Sequence, residues 1–550
     1  MPAIVTNKFR IHNAKQFVEA FDEVTFTSGT AITDATGLLN TNMYLFIGKV
    51  TPWTESGSDD TAPPTPTDSV SNTVYNHWRD MIAAKKIGST DVSHVIPRYN
   101  WTSGSNYFAY THANNALFDQ QFYVMTTDYN VYKCLANNNA GGSSTTQPTG
   151  TSASIVTTAD NYKWKFMYQI SAARALKFVT PSYVPTQRVR KANNNIAETS
   201  DSSFQYDVEI AANTSGNGAI EVCHVAAGGS GYTFEIGSIA AGNRTTTTAQ
   251  ITGTGLADDA VKDNDIYFTS GALAGEGGTI TSYVDSSDVV TWTPALSGTP
   301  ASGDAYSIGP KVTITGDGHG ANVRSSNVGG AAGVIKDIVV VSGGNNYGNA
   351  VATVSTNAGS SGSINPIVGP RGGHGDDAIE ELGGFFVMVN SRLEYGESGN
   401  FTTNNDFRKI GLLAQPLYAN GDVATASTID QCVTVTVQSW NSTAFAEDEL
   451  VTAVKSGAKG KVVDFKNNNT TLRLADVTYG TNATAGYDGI AGSFQANESI
   501  SGAGGASANT NGVAGGDFEK FSGDVLYVEN RSPVTRADDQ IEDVKLIIEF

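Results

Sequence analysis

Seven histidines, three cysteines and several adjacent carboxylates are the residues of this 550-residue chain whose types could do chemistry. His12, His77, His94, His112, His224, His319 and His374 show neither His-x-His nor His-Glu-x-x-His spacing, so the sequence presents no transition-metal site. His77 stands beside Trp78 in a helical pattern and reads as helix-flank packing. His374-Gly-Asp-Asp could be a metal or acid–base cluster, but after Gly-Pro-Arg-Gly-Gly it reads as a polar turn. Asp376 with Asp377 and Glu380 with Glu381 would suggest a glycosidase, yet such a pair must flank one bond, and adjacent carboxylates on a strand or loop diverge. Gly316-Asp-Gly-His-Gly320 lacks the Gly-x-Gly-x-x-Gly spacing and no Gly-x-x-x-x-Gly-Lys-Ser/Thr occurs, so these glycines serve turns and do not cradle a phosphate. Cys134, Cys223 and Cys432 are far apart and odd in number, which excludes a disulfide framework or a Cys-x-x-Cys motif and fits a reducing compartment. The expectation is no catalytic, cofactor-binding or metal residue, and no enzyme.

Two further groups have both a bland and a functional reading. Tyr162, Trp164, Phe166, Tyr168 and Ile170 alternate with Lys163, Lys165, Met167 and Gln169, the period of a strand with one aromatic face. That face could be a carbohydrate platform or a subunit interface, and reads first as core. Glu529-Asn-Arg-Ser-Pro533, with Arg536 and Asp538, reads as a solvated turn whose ion pairs are worth under about 1 kcal/mol.

The elements that must position these residues are mostly strands. Met43 to Val50, Gln121 to Thr126 and Val131 to Leu135 are strand candidates, the last two joined by Thr-Asp-Tyr-Asn as a hairpin. Val70, Val74, Trp78, Met81 and Ile82 share a helical face, with Asp68, Ser69 or Ser71 as cap and Gly88 as the end; Pro63, Pro64 and Pro66 keep the preceding segment extended. A shorter helix is predicted from Asn13 to about Phe21.

Composition bounds the rest. The 59 glycines and a charged fraction of only 16% describe a polar, turn-rich chain, while 39% hydrophobic residues suffice for real cores. A net charge of −20 repels a phosphate backbone, so nucleic acid is excluded as a general partner. Residues 1–200 hold 16 basic and 14 acidic side chains, so the acidity lies in 201–550. The first residues lack the apolar core of a signal peptide and no run of about 18 apolar residues exists, which predicts a protein made in a cytoplasm without membrane insertion.

From 206 to 370 the texture becomes Gly-rich, β-branched and acidic, with an internal repeat in which 219–232 matches 334–347. Each copy reads as a strand, a turn needing the positive φ that Gly tolerates, and a Tyr covering the turn. Lys311 to Ala321 adds another strand and turn, so this is a small all-β module or a pair of them. A second such stretch, 433–515, contains a hairpin from Lys461-Val-Val-Asp-Phe through Asn467 to Asn469 to Thr471-Leu-Arg-Leu. The predicted fold is mainly β (α+β): a discontinuous β-sandwich-like core of 1–205, 371–432 and 516–550 with a few helices, carrying two Gly-rich β insertions at 206–370 and 433–515.

Several segments, in order along the chain, resemble the small baseplate wedge subunit of T-even-type contractile-tailed bacteriophages. Ile4-Val-Thr-Asn-Lys-Phe-Arg10 looks like its opening strand, Ala62-Pro-Pro-Thr-Pro-Thr-Asp-Ser-Val70 like its proline segment, and Val95-Ile-Pro-Arg-Tyr-Asn-Trp101 like its Ile-Pro-Arg followed by Trp. Val131-Tyr-Lys-Cys-Leu135 and 160–170 are similar to the next two strands, Phe407 to Leu417 to a strand ending in Pro-Leu, and Leu526 to Gln540 to the C-terminus. The two insertions have no counterpart in that family. The resemblance implies a virion protein of the tail baseplate, assembled in the host cytoplasm, forming a homodimer and binding other wedge subunits. The alternative is a tail-associated host-receptor or glycan-binding protein using the Gly-Gly-x-x-Tyr repeats.

Overall fold

β-branched and aromatic segments punctuated by Gly, Asn and Thr form antiparallel strands along most of this chain, because each short segment can bury a face only by pairing with neighbours. The computed structural model describes residues 3–21, 26–27, 30–31, 33–34, 37–38, 42–54, 60–69, 72–138, 142–189, 203–252, 254–355, 359–466 and 470–550. The fold is mainly β with a few short helices. The chain divides into two compact units, one of 1–94 with 385–550 and one of 95–384.

In the first unit a five-stranded antiparallel sheet runs in the order Thr428–Asp430, Met81–Ile87, Met43–Gly48, Asp406–Ala414, Asp524–Thr535. Both faces are covered, which explains why Met43–Gly48 is buried at every position instead of alternating. One face, with Leu45, Ile47, Ile82, Ile410 and Leu412, shares a core with Val387 and Val389 of Phe386–Glu394 and Val544 and Leu546 of Ile541–Glu549, which pair with each other. Tyr44, Phe46, Ala84 and Leu413 on the other face pack with Trp78 and Phe518. A closed six-stranded barrel occupies 433–514, lined by Val435, Val451, Leu472, Leu474, Phe494 and Ile500. Its Lys459–Lys466 and Thr471–Thr478 strands pair antiparallel, as the sequence predicts; the connecting Asn467 to Asn469 lie outside the described residues.

Two sequence expectations fail here. The predicted helix through Val70 to Gly88 is Asn72–Asp80, and Met81–Ile87 is a central strand. Met81 and Ile82 satisfy a helical spacing by accident, since a strand buried on both faces carries apolar residues consecutively and hides its period. The opening segment is not a strand from Ile4 to Arg10: a helix spans Asn7–Glu19, with the Thr6 hydroxyl accepting from the Phe9 N–H as its cap. Arg10 ties this helix to Glu549 and to the Phe550 carbonyl. It is also the shorter helix expected from Asn13, begun six residues earlier.

In the second unit Tyr123–Met125, Asn130–Asn137, Tyr162–Gln169 and Val156–Thr157 make a four-stranded sheet in that order, with the predicted hairpin on one side and Tyr123–Met125 at the edge. The aromatic strand face is core: Tyr162, Trp164 and Phe166 pack with Tyr107, Tyr132 and Val208. On the opposite side Lys165 and Met167 are buried, Lys163 is half-buried and Gln169 alone is exposed, so the polar side expected of that strand is only partly solvated. The helix Phe204–Ser215, which no sequence expectation includes, supplies Val208.

Residues 219–368 fold into two all-β parts. The repeat copies form Ile220–Ser230 and Asp337–Asn345, paired with Ser360–Val368 and His319–Ser326 respectively, around a core of Cys223, Val225, Tyr232, Val323, Ile338 and Tyr347. Gly229 at φ +63° and Gly344 at φ +61° lie inside these paired strands and not in the tight turns expected there, and the two repeat tyrosines are buried against glycine backbone. Nested between the copies, a six-stranded sheet spanning Glu235–Ser238 to Ala305–Pro310 has its own core of Ile266, Phe268, Ile280, Tyr283, Trp292 and Tyr306.

Candidate functional site

The histidines and carboxylates singled out above do not all stay apart. Phe122, Val131 and Leu135 bury one face of the Tyr123–Met125 and Asn130–Asn137 hairpin against Ala378 and Leu382, and this packing draws the 374–382 segment under the sheet. Asp377 caps the helix Ala378–Leu382, its carboxylate accepting from the Ile379 and Glu380 N–H groups at 3.0 and 3.1 Å. Glu381, one turn on, points inward and forms an ion pair with Lys133 of the strand Asn130–Asn137.

That pair is sealed: the Lys133 side chain is 0% and the Glu381 side chain 3% exposed. Glu381 Oε1 accepts from the Gly375 and Asp377 backbone N–H groups at 2.7 and 3.3 Å. The Tyr110 ring lies 4.8 Å from Lys133 Nζ and, edge to face, 4.8 Å from the His374 ring. His374 Nδ1 stands 4.0 Å from Glu381 Oε2, and neither ring nitrogen has a hydrogen-bond partner. Burial, reinforced by Lys133 and Lys165, drives the His374 imidazole far toward its neutral form. Burial also raises the Glu381 carboxyl above its usual range, against the pull of Lys133. His374-Gly-Asp-Asp is a turn, as expected, but one buried in the protein. A one-dimensional sequence could not reveal this, because the burial comes from a strand 240 residues earlier.

The neighbouring aspartates do not diverge as their adjacency predicts: both carboxylates face Arg188, Asp377 at 3.8 Å. Asp376 meets Arg188 at 3.0 Å and Asp377 caps its helix. Among the described residues no group of three or more His, Cys, Asp and Glu is arranged to hold a metal. The three thiols are free and buried, and burial raises each of them, Cys223 to about 12, so none is poised as a nucleophile. Asp317 of the Gly-Asp-Gly-His-Gly run accepts from the Gly348 and Asn349 N–H groups, closing a turn. His77 flanks its helix half-buried, and burial lowers its pKa to about 4.

Arg536 overturns the solvated-turn reading of the C-terminal segment. It is 1% exposed, donates to Glu542 at 3.1 Å and to the Thr402 carbonyl at 3.1 Å, and also bonds the Tyr395 carbonyl. Asp538 bonds Thr403. Glu529 and Arg531 pair at 2.7 Å while remaining about one-third exposed, as expected of a surface pair.

Two open depressions occur in the second unit. One of about 620 Å³ is bordered by Phe108, His112, Asn137, His224 and Asn365; the other, of about 430 Å³, by Ile155, Lys165, Glu221 and Val341. In the first, both imidazoles are already engaged, His112 Nδ1 with the Val368 N–H and His224 Nε2 with the Leu135 carbonyl. Neither depression brings a nucleophile and a base together.

Ile4, Val5, Phe9, Tyr75 and Phe521 are exposed large hydrophobic residues. Residues 3–139 match the family model described as Phage-Gp8, "Bacteriophage T4, Gp8", about a quarter of the chain. This match supports a phage baseplate wedge family. No curated protein matches the chain. No helix among the described residues is long and apolar enough to cross a membrane.

Proposed function

We propose that this chain is a structural subunit of a phage tail baseplate wedge, acting in tail assembly through protein–protein contacts and performing no chemical step. The observation that carries the reading is the family match over residues 3–139. The ordered likenesses beyond it, at Phe407 to Leu417 and Leu526 to Gln540, support it further. These later segments form the strands Asp406–Ala414 and Asp524–Thr535, neighbours in the sheet that also holds Met43–Gly48 from the matched region.

In this reading the protein is a homodimer in the virion tail, bound to other wedge subunits. Residues 206–370 and 433–515 are exterior additions to a discontinuous core. An interface of about 2,000 Å² at roughly 25 cal/mol per Å² of apolar area would hold such an assembly without a cofactor. Co-expression with the other tail genes of the same source, followed by mass analysis of the complexes, should recover a dimer bound to neighbouring tail proteins. A monomer that joins none of them would refute the assignment.

A further inference from the structure

We propose that Lys133 and Glu381 become joined by an intramolecular amide bond between Nζ and Cδ, locking the central strand Asn130–Asn137 to the helix Ala378–Leu382. The inference is independent of the baseplate reading, since it rests only on this buried cluster.

Four features of an acyl-transfer site coincide there. The amine and the carboxyl group are in direct contact and sealed from water, so the reactants are held together permanently. Such positioning corresponds to an effective concentration of about 10⁵–10⁸ M in well-oriented intramolecular reactions. The Gly375 and Asp377 N–H groups both point at Oε1, where negative charge would develop on a tetrahedral carbon. The other oxygen, Oε2, faces Lys133 Nζ and lies 4.0 Å from an imidazole nitrogen with no other partner. Tyr110 closes the site over Nζ and holds the His374 ring edge-on.

The step balances without a co-reactant. A proton passes from the Lys133 ammonium to the Glu381 carboxylate, giving a neutral amine and a neutral acid, the form toward which burial already moves the Glu381 carboxyl. Nζ attacks Cδ, forming the C–N bond, and Oε1 carries the charge against the two N–H groups. His374 accepts the second amine proton and delivers it to Oε2 as the Cδ–Oε2 bond breaks. One water leaves, and no electrons are gained or lost.

Peptide mapping of the full-length protein by trypsin and mass spectrometry tests this directly. The expected product is a branched peptide in which 372–392 is attached to Lys133, with no cleavage after Lys133 and a mass one water below the sum of its parts. Cleavage after Lys133 together with a linear 372–392 peptide would overturn the proposal. Glu381→Gln should give the same branched product by loss of ammonia. Lys133→Met should give none. His374→Phe, which keeps the ring against Tyr110, should lower the linked fraction at least tenfold while the circular dichroism spectrum is unchanged. Full linkage in that variant would refute the proton-carrying role.

Discussion

Replacing Arg536 by Met tests whether the C-terminal segment is a buried organiser or a surface turn. The guanidinium is fully enclosed, donates to Glu542 through two nitrogens at 3.1 Å, and satisfies the Thr402 and Tyr395 carbonyls; its carbon lies 5.5 Å from the centre of the Phe401 ring. Met fills much of the volume and supplies no donor. Glu542, whose side chain is 8% exposed and whose Oε1 has no hydrogen-bond partner, would be left as a buried, unpaired carboxylate. Breaking a buried pair from one side costs about 3–5 kcal/mol, against under about 1 kcal/mol for an exposed pair. Arg536 belongs to the unit of 1–94 and 385–550. For a unit of that size each kcal/mol lowers Tm by roughly 2–4 °C, so the transition of that unit should fall by about 6–20 °C in calorimetry of the full chain. Pairing Arg536→Met with Glu542→Leu removes the orphaned charge and should recover most of the loss. A shift below about 2 °C in the single variant, or no recovery in the double, would refute the reasoning.

Gly229→Ala should destabilise the pairing of Ile220–Ser230 with Ser360–Val368 by several kcal/mol, since Gly229 has φ +63° and an added Cβ would collide with the Ser360 carbonyl and the Tyr232 ring. Hydrogen exchange across 219–232 and 359–368 is the measurement, and unchanged protection would sink the idea. Trp292→Ala, in the core of the nested sheet, should cost about 3–5 kcal/mol and speed proteolysis within 235–310; equal cutting rates would argue against an independent core there. His77 has an ordinary pKa of 6.5 when unfolded and about 4 when folded, lowered by burial and then by Lys409, against Asp80 and Asp68. Between those values the unfolded state binds the extra proton, so stability is retained above pH 6.5 and lost as pH falls toward 4. Because the ring is only half-buried, the loss is about 1–2 kcal/mol after allowing for solvent screening, and His77→Gln should flatten that part of the urea-midpoint profile.

Strands whose two faces differ, and turns that demand particular residues, were legible in the sequence. The hairpin of Tyr123–Met125 with Asn130–Asn137, the barrel hairpin and the repeat strands stand where the sequence predicts, whereas the Gly-Gly positions expected as turns continue the paired repeat strands. Met81–Ile87 was not legible, because burial on both faces erases the alternation that marks a strand. The helix Phe204–Ser215 was also missed. Its Ser203 cap and inward Val208 and Ala212 offered a signal, masked by the polar residues before it.

The candidate site shows the same division more sharply. His374, Asp376, Asp377 and Glu381 were visible as residue types, but the divergence expected of the two Asp side chains fails, because Arg188 draws both carboxylates to one guanidinium. Nothing local told that Glu381 would meet Lys133, because the meeting depends on the hairpin and the helix Ala378–Leu382 closing one apolar core.

By itself the sequence determined the β-rich class and the acidic excess beyond residue 200, properties that follow from local backbone preference and from counting charges. Only the tertiary structure decided which polar residues lose their water. A Lys, a Glu, an Arg or a His is soluble as a residue type, and burial of Lys133, Glu381, Arg536 and His374 is imposed by packing partners far along the chain. Desolvation, a property of the assembled neighbourhood, turned residues that read as turns and surface pairs into the charged interior of this protein.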